Sequence, residues 1–345
     1  MILLILLLCL HITNTYSTNN GIQIKPKPIS IECNSQGYPK IDALKILVTQ
    51  YLHCSNQKNI IIKEISGGYY TEKMYIVMTK KDGKKFPLFF FKISKKYGST
   101  KKLLKIQEGP IAQKFIEANS SSATCSSRIK KQLPIIIWLN DIVTYKNQMG
   151  ETKTIEISPS AKGQVVQDIL NSENLHMIKK AAEALGKSLA AFHQLYIDLD
   201  TIENNASWKS VFHGDFSIRN TLFDIETNKI YFIDNETMQE GSIIEDIKTI
   251  LISMLMFRYL QKNNGSRWPI YLEYCQTFLK AYIESYPIIL QAKLAKFIEK
   301  KLDIGLNKAL YEKIIKDSSI DPNKFNKKEF KQMVHHCLHK FDKTL

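Results

Sequence analysis

The chain has 345 residues, 44% of them hydrophobic and 10% aromatic, a composition that fills packed cores and argues against a disordered chain. This length exceeds what one small core organises and predicts a two-lobed molecule of about two domains. Lys and Arg outnumber Asp and Glu by 48 to 33, and the resulting charge of +15 favours anionic ligands: nucleotides, phosphorylated substrates, acidic glycans or anionic lipids. No nucleic-acid-binding module is visible, so ATP and an anionic surface are expected ahead of sequence-specific DNA or RNA.

The chain opens MILLILLLCLHITNTYS. The apolar run Ile2 to Leu10 is too short to span a bilayer and gives way to small and polar residues, the pattern of a secretory signal peptide over residues 1–17. Its removal takes Cys9 and leaves Cys33, Cys54, Cys125, Cys275 and Cys337. An odd set keeps at least one thiol free or paired between chains, and the absence of a C-x-x-C spacing argues against zinc. Asn119, Asn205, Asn235 and Asn264 head glycosylation triplets, which fit a secreted or lumenal glycoprotein. Asn235 is expected to stay unmodified, because a glycan there would obstruct its neighbour Asp234.

An extended lead-in runs to Pro39, and apolar residues Leu44, Ile46, Leu47 and Tyr51 recur at helical spacing between Ile41 and Leu52. The stretch from Ile60 to Ile93 alternates apolar runs with glycine turns and predicts three antiparallel strands, with Asp82-Gly83 turning between the second and third. Gly67 and Gly68 let the backbone bend tightly and approach a ligand with no side chain in the way. Lys92 lies inside LFFFKI, where burial demands a partner. A helix is expected over Leu103–Phe115, then a Ser-rich surface loop, then two strands around a polar tip at Lys146–Glu151. Helical patterning follows at Gly163–Leu170 and Ile178–Tyr196, where Leu185, Leu189, Phe192 and Leu195 form one stripe.

The chain is organised around FHGDFSIRNTLFDIETNKIYFIDNE, Phe212 to Glu236. Thr221–Phe223 and Lys229–Ile233 are strand-forming, and the polar segment Asp224–Asn228 can turn between them, so a hairpin is predicted. It would bring Asp215, Asn220 and Asp234 together. Phosphoryl transfer from a nucleotide needs such a group: one carboxylate to orient or deprotonate the acceptor hydroxyl, and an amide oxygen with a second carboxylate to hold magnesium. The Asp-to-Asn spacing matches a kinase catalytic loop, with Asp215 as base and Asn220 and Asp234 as metal ligands.

HGDFSIRN followed by FIDNE resembles the HGDxxxxN and IDxE motifs of the aminoglycoside phosphotransferase and choline kinase families. The resemblance implies an α+β, two-lobed protein-kinase-like fold: a small antiparallel-sheet N-lobe over residues 18–158 and a larger, mostly helical C-lobe over 159–345. It places Gly67 and Gly68 in a nucleotide loop, makes Lys92 the contact to the α- and β-phosphates and pairs it with Glu108. Glu156 to Ser158 become the hinge whose backbone meets adenine. AAEALGKSLAAFHQL is similar to the family's LGxxLAxLH helix, with His193 a packed structural residue; His213 holds the catalytic loop.

Past the hairpin, Ser242–Leu260 reads as a long apolar helix with Glu245 and Asp246 in its first turn. Helix-dipole stabilisation accounts for both acids, and kinase-like folds also use an acid here to tie down the catalytic loop. The residues from Arg267 on are helical in pattern, with Tyr271, Tyr274, Phe278 and Tyr282 on one face. Lys324–Phe341 forms a basic amphipathic helix that either packs or meets an anionic surface. The expected activity is ATP- and magnesium-dependent phosphate transfer to a hydroxyl of a small molecule. Choline or ethanolamine, an aminoglycoside-like sugar, a sterol-like alcohol and a protein hydroxyl all stay open as acceptors. The competing class is an exported, non-catalytic kinase-like module that binds a partner through its basic surface.

Overall fold

The computed structural model describes residues 27–52, 59–65, 71–81, 83–94, 97–120, 126–172, 174–198, 202, 208–260 and 268–316. The segment expected to be a signal peptide, Gly67 and Gly68, Cys54, Cys125 and Cys337, Asn205, Asn264 and the segment expected to form a basic C-terminal helix lie outside them. The strands are β1 (Lys27–Pro28), β2 (Ile60–Ile65), β3 (Thr71–Lys81), β4 (Lys84–Ser94), β5 (Ile135–Ile136), β6 (Asp141–Lys146), β7 (Thr152–Pro159), β8 (Gln164–Val165), β9 (Lys209–Phe212), β10 (Thr221–Asp224), β11 (Lys229–Phe232) and β12 (Gln239–Ser242). The helices are α1 (Ile41–Leu52), α2 (Tyr97–Gln107), α3 (Pro110–Asn119), α4 (Ser127–Gln132), α5 (Val166–Asn171), α6 (Leu175–Tyr196), α7 (Ile244–Leu260), α8 (Trp268–Glu284) and α9 (Ile288–Lys316).

Two units divide the chain, Met1–Ser120 with Ile137–Ala161 and Ser121–Ile136 with Lys162–Leu345. In the first, six strands pair in the order β1-β6-β7-β4-β3-β2, all antiparallel except β1 with β6. Strand alternation sends Phe89, Phe91 and Ile93 of β4 to one face, where Val77, Ile155 and Ile157 join them against Leu44, Leu47 and Val48 of α1. The opposite face carries Lys92, Ser94 and Glu156, and α2 packs on it through β4 and β7.

The single helix expected over Leu103–Phe115 is two. Pro110 has no N–H and its ring would collide with the carbonyl four residues back, so α2 ends and α3 restarts with Pro110 in its first turn and Gly109 as N-cap. A Cβ at Gly109 would stand 2.8 Å from the Lys105 carbonyl oxygen, so the break needs glycine there. Glu108 falls in this break and is exposed.

The second unit is the helical one, so the α+β class with an antiparallel-sheet unit and a mostly helical unit is as expected. Its boundary differs from the expected 158/159 division. Residues 121–136 belong to the helical unit, because β5 pairs parallel to β11, Ile135 opposite Tyr231 and Ile136 opposite Phe232, while α4 packs on α6. The hairpin of β10 and β11 forms as predicted and adds β8 on its outer side, where Gly163–Leu170 was expected to be wholly helical.

α6 is the spine of this unit, buried from Ile178 to His193 along one side. α8 presses against it at Gly186, where an added Cβ would stand 2.4 Å from the Phe278 carbonyl oxygen and 2.9 Å from the Tyr282 nitrogen. Both obstacles are backbone and cannot rotate away. Gly186→Ala should therefore destabilise the protein by about 1–3 kcal/mol, read as an earlier urea midpoint with unchanged slope. An unaltered midpoint would show that the two helices do not approach this closely.

Candidate active site

The loop between β9 and β10 carries His213, Gly214, Asp215 and Asn220. β9 ends at Phe212, and Gly214 takes φ +83, a left-handed conformation in which a Cβ would lie 2.6 Å from the Thr237 carbonyl oxygen. The turn that presses on it is Asn235–Thr237, whose Thr237 hydroxyl donates to the His213 carbonyl at 2.7 Å. Phe216 is fully buried against Phe232 of β11, ring centres 5.0 Å apart, and Phe192 of α6 meets Phe232 at 5.7 Å. Arg219 donates to the Gln167 side chain of α5 at 2.8 Å, and the Gln167 amide donates to the Ile218 carbonyl at 3.0 Å. The loop is thus pinned by sheet, helix and turn.

Asp215 and Asn220 meet directly. The Asn220 amide nitrogen donates to the Asp215 backbone carbonyl and to its carboxylate, both at 2.9 Å. With its nitrogen used twice, the amide turns its oxygen away from Asp215. Asn220 also accepts from the Ile233 amide at 3.1 Å, which seats the end of β11, and so Asp234, beside it. Asp234 has φ 59 and ψ 51, a left-handed conformation uncommon outside glycine. Asp215 and Asp234 are exposed while Asn220 is buried. The Asn220 amide oxygen and the Asp234 carboxylate are hard donors of the kind a magnesium or calcium ion takes, so the pair fits such an ion. Among the described residues there is no group of three or more His, Cys, Asp or Glu that could hold a metal.

The loop is braced from below by Asp246 in the first turn of α7. Its carboxylate accepts from the His213 amide at 2.8 Å and the Gly214 amide at 3.0 Å, and lies 3.1 Å from His193 Nε2. His193 Nδ1 is 2.7 Å from the Tyr282 hydroxyl, which is 3.1 Å from that of Tyr286. Asp246, His193 and Tyr282 are wholly buried, Tyr286 almost so. Burial pushes the Tyr282 hydroxyl well above its ordinary range and its Tyr286 and Asp246 neighbours add to that, so it stays a neutral donor. With the Tyr282 hydroxyl donating to Nδ1, that of Tyr286 donates to Tyr282 and Nε2 donates to Asp246. The aromatic face Tyr271, Tyr274, Phe278 and Tyr282 is core, all at 1% exposure or less. Sequence reasoning reached Asp246 and His193 separately; Tyr282 as a polar partner carried no signal beyond its helical stripe.

His213 Nε2 donates to the Ile233 carbonyl at 3.0 Å, while Nδ1 is buried without a partner among the described residues.

In the sheet unit, Lys92 lies opposite Glu156 in the β4–β7 register, its ammonium 4.0 Å from Glu156 Oε2. Glu156 was expected to offer only its backbone, to adenine. Its residue instead sits between Lys92 of β4 and Ile142 of β6, so its backbone groups serve the sheet, and its side chain is buried. Ser158 pairs on the β4 side, opposite Phe90 and beyond the last β6 partner at Ile157. Cys33 and Cys275 are buried free thiols.

Residues 139–283 match the sequence profile of the ecdysteroid kinase-like family. No curated protein sequence matches the chain. Among solved structures, an amicoumacin kinase in complex with AMP-PNP, Ca2+ and amicoumacin is similar at 11% identity, covering 88% of this chain and 97% of its own, with a TM-score of 0.44. WaaP in complex with acyl carrier protein is similar at 15% identity, covering 70% of this chain and 88% of its own, with a TM-score of 0.33.

Removing Asp246 would leave two buried backbone N–H groups and His193 unanswered. Asp246→Ala should cost about 3–5 kcal/mol of unfolding free energy, as for a broken buried pair. Tyr282→Phe deletes the hydroxyl between His193 and Tyr286, which touches neither loop amide, and should cost less, about 1–2 kcal/mol. Urea titrations of both variants test the ordering. Equal, small losses would mean that the loop is not held from Asp246.

Proposed function

We propose that this protein is an ATP- and magnesium-dependent phosphotransferase that phosphorylates a hydroxyl of a small molecule. The observation that carries the reading is the fixed Asn220 amide, held twice by Asp215 with its oxygen turned away and Asp234 seated alongside. That divides the labour as phosphoryl transfer requires. Magnesium, when bound by the Asn220 amide oxygen and the Asp234 carboxylate, would neutralise charge on the phosphates. Asp215 has one carboxylate oxygen, Oδ2, engaged by Asn220 and the other left to accept the acceptor's hydroxyl proton. Lys92 would hold the phosphates, Gly67 and Gly68 would cover them, and the strand end at Ser158 would meet adenine.

Among the acceptors that the sequence leaves open, the family match over residues 139–283 supports a sterol-like alcohol ahead of choline, ethanolamine or an aminoglycoside. We also place the protein in the secretory pathway, on its apolar start and its glycosylation triplets. Asn235 is 1% exposed and so is closed to a glycan in the folded protein, whereas Asn119 is exposed.

Turnover should fall about 10²–10⁴-fold in Asp215→Ala with ATP affinity nearly intact, because the lost group acts on the acceptor. Asp234→Ala should abolish transfer and also remove the magnesium dependence of ATP binding. A thermal-shift series with ATP, with and without magnesium, followed by a phosphate-transfer screen over hydroxyl-bearing metabolites that includes steroid alcohols, tests both variants. No shift with any nucleotide would sink the enzyme and leave a binding module.

Mass spectrometry of protein from its native host tests the compartment. The expected result is a chain beginning near Thr18, with glycan at one or more of Asn119, Asn205 and Asn264 and none at Asn235. An intact Met1 or a modified Asn235 would contradict it.

A further inference from the structure

We infer that Glu156 helps to position Lys92, so that a carboxylate behind the phosphate-facing lysine comes from the neighbouring strand β7. The task given to Lys92 rests on the phosphotransferase reading; the pairing itself does not. Lys92 and Glu156 are directly opposed in the antiparallel register, and Ser94, two residues along β4, shares their side of the sheet. Ser94 Oγ donates to Glu156 Oε1 at 2.9 Å, and Thr100 of α2 donates to the same oxygen. Two hydroxyls therefore fix one oxygen, which presents Oε2 to the Lys92 ammonium at 4.0 Å.

The environment makes this pairing consequential. The Glu156 side chain is 4% exposed and that of Lys92 16%. Hydroxyls can satisfy the lone pairs of a buried carboxylate but leave its charge uncompensated, which a buried acid tolerates only beside a cation. Lys92 has a long flexible stem, and at 4.0 Å the Glu156 carboxylate acts on its ammonium by charge rather than by a close hydrogen bond. Glu156 has no such freedom, since its backbone lies between two paired strands. Thr100 adds a consequence: the same carboxylate joins α2 to the sheet, so the position of α2 and that of Lys92 are set at one point.

A double-mutant cycle on the full chain tests this, using Glu156→Gln, Lys92→Met and the pair together. The glutamine keeps an oxygen for Ser94 and Thr100 and removes only the charge. Without nucleotide, the two substitutions should be non-additive in unfolding free energy, which reads the pair independently of any activity. With magnesium and ATP, Glu156→Gln should weaken binding roughly tenfold, and the double variant should bind no more weakly than Lys92→Met alone. Additive losses in unfolding would overturn the pairing. Unchanged ATP affinity in Glu156→Gln, with Lys92→Met impaired, would overturn the positioning role. If Lys92→Met itself binds ATP normally while the unfolding cycle stays coupled, the pair stands and the phosphate task of Lys92 falls. Should Glu156→Gln fail to fold, Thr100→Val removes one of the two hydroxyls that orient the carboxylate; several-fold weaker ATP binding is expected, and wild-type affinity would overturn the role.

Discussion

One buried carboxylate, Asp246, fixes the candidate catalytic loop, and much else in the helical unit is arranged around it. It sits where α7 begins, accepts from two consecutive loop amides and touches His193 of α6. Backbone amides are donors that no side-chain substitution in the loop can supply or withdraw, so this anchor specifies loop position without constraining loop sequence. The anchor needs its own support. A carboxyl group with no exposure is stable only while its hydrogen-bond partners are in place. His193 is one such partner and is in turn held by Tyr282 and Tyr286, which makes the interhelical packing at Gly186 relevant to the loop: α8 must come close to α6 for the Tyr282 hydroxyl to reach the imidazole.

Four acids, Asp246, Glu156, Asp215 and Asp234, fall into two groups by their surroundings. Asp246 and Glu156 are buried, satisfied by backbone amides and hydroxyls and placed next to a histidine or a lysine. Asp215 and Asp234 are exposed. Exposed carboxylates are solvated and inexpensive to keep charged, and they can exchange water for a metal or a hydroxyl. Buried ones cannot exchange partners cheaply and serve as fixed points. Asn220 lies between the groups, buried through its nitrogen and oriented by Asp215.

What was legible in the sequence follows the range of the interactions. α1, α6, α7 and the β10–β11 hairpin are set by local periodicity and turn residues, and the structure has them at the expected places. The grouping of Asp215, Asn220 and Asp234 was also within reach, since one hairpin separates its members. The split of the helix at Gly109-Pro110 carried a local signal, outweighed by the apolar spacing on either side. The placement of residues 121–136 carried none, because the parallel pairing of β5 with β11 joins segments remote in the chain. The buried side chain of Glu156 was out of reach for the same reason, since the Lys92, Ser94 and Thr100 around it lie on β4 and α2, far back in sequence.

The conformation of Asp234 follows from the same constraints. A left-handed backbone in a residue with a side chain costs on the order of 1–3 kcal/mol and persists only where neighbours over-determine it. Here the preceding residue is tied to Asn220 through the Ile233 amide and to His213 through its carbonyl, and the following turn is closed by Met238 donating to Asn235. Thr237 of that turn returns to the His213 carbonyl. The chain therefore leaves β11, turns once through Asp234 and comes back to the residue that Asp246 anchors. A right-handed or extended Asp234 would aim the turn elsewhere and release Gly214 from Thr237, so its strained backbone is what closes the loop of contacts, and its exposed carboxylate stands beside Asn220 as a result.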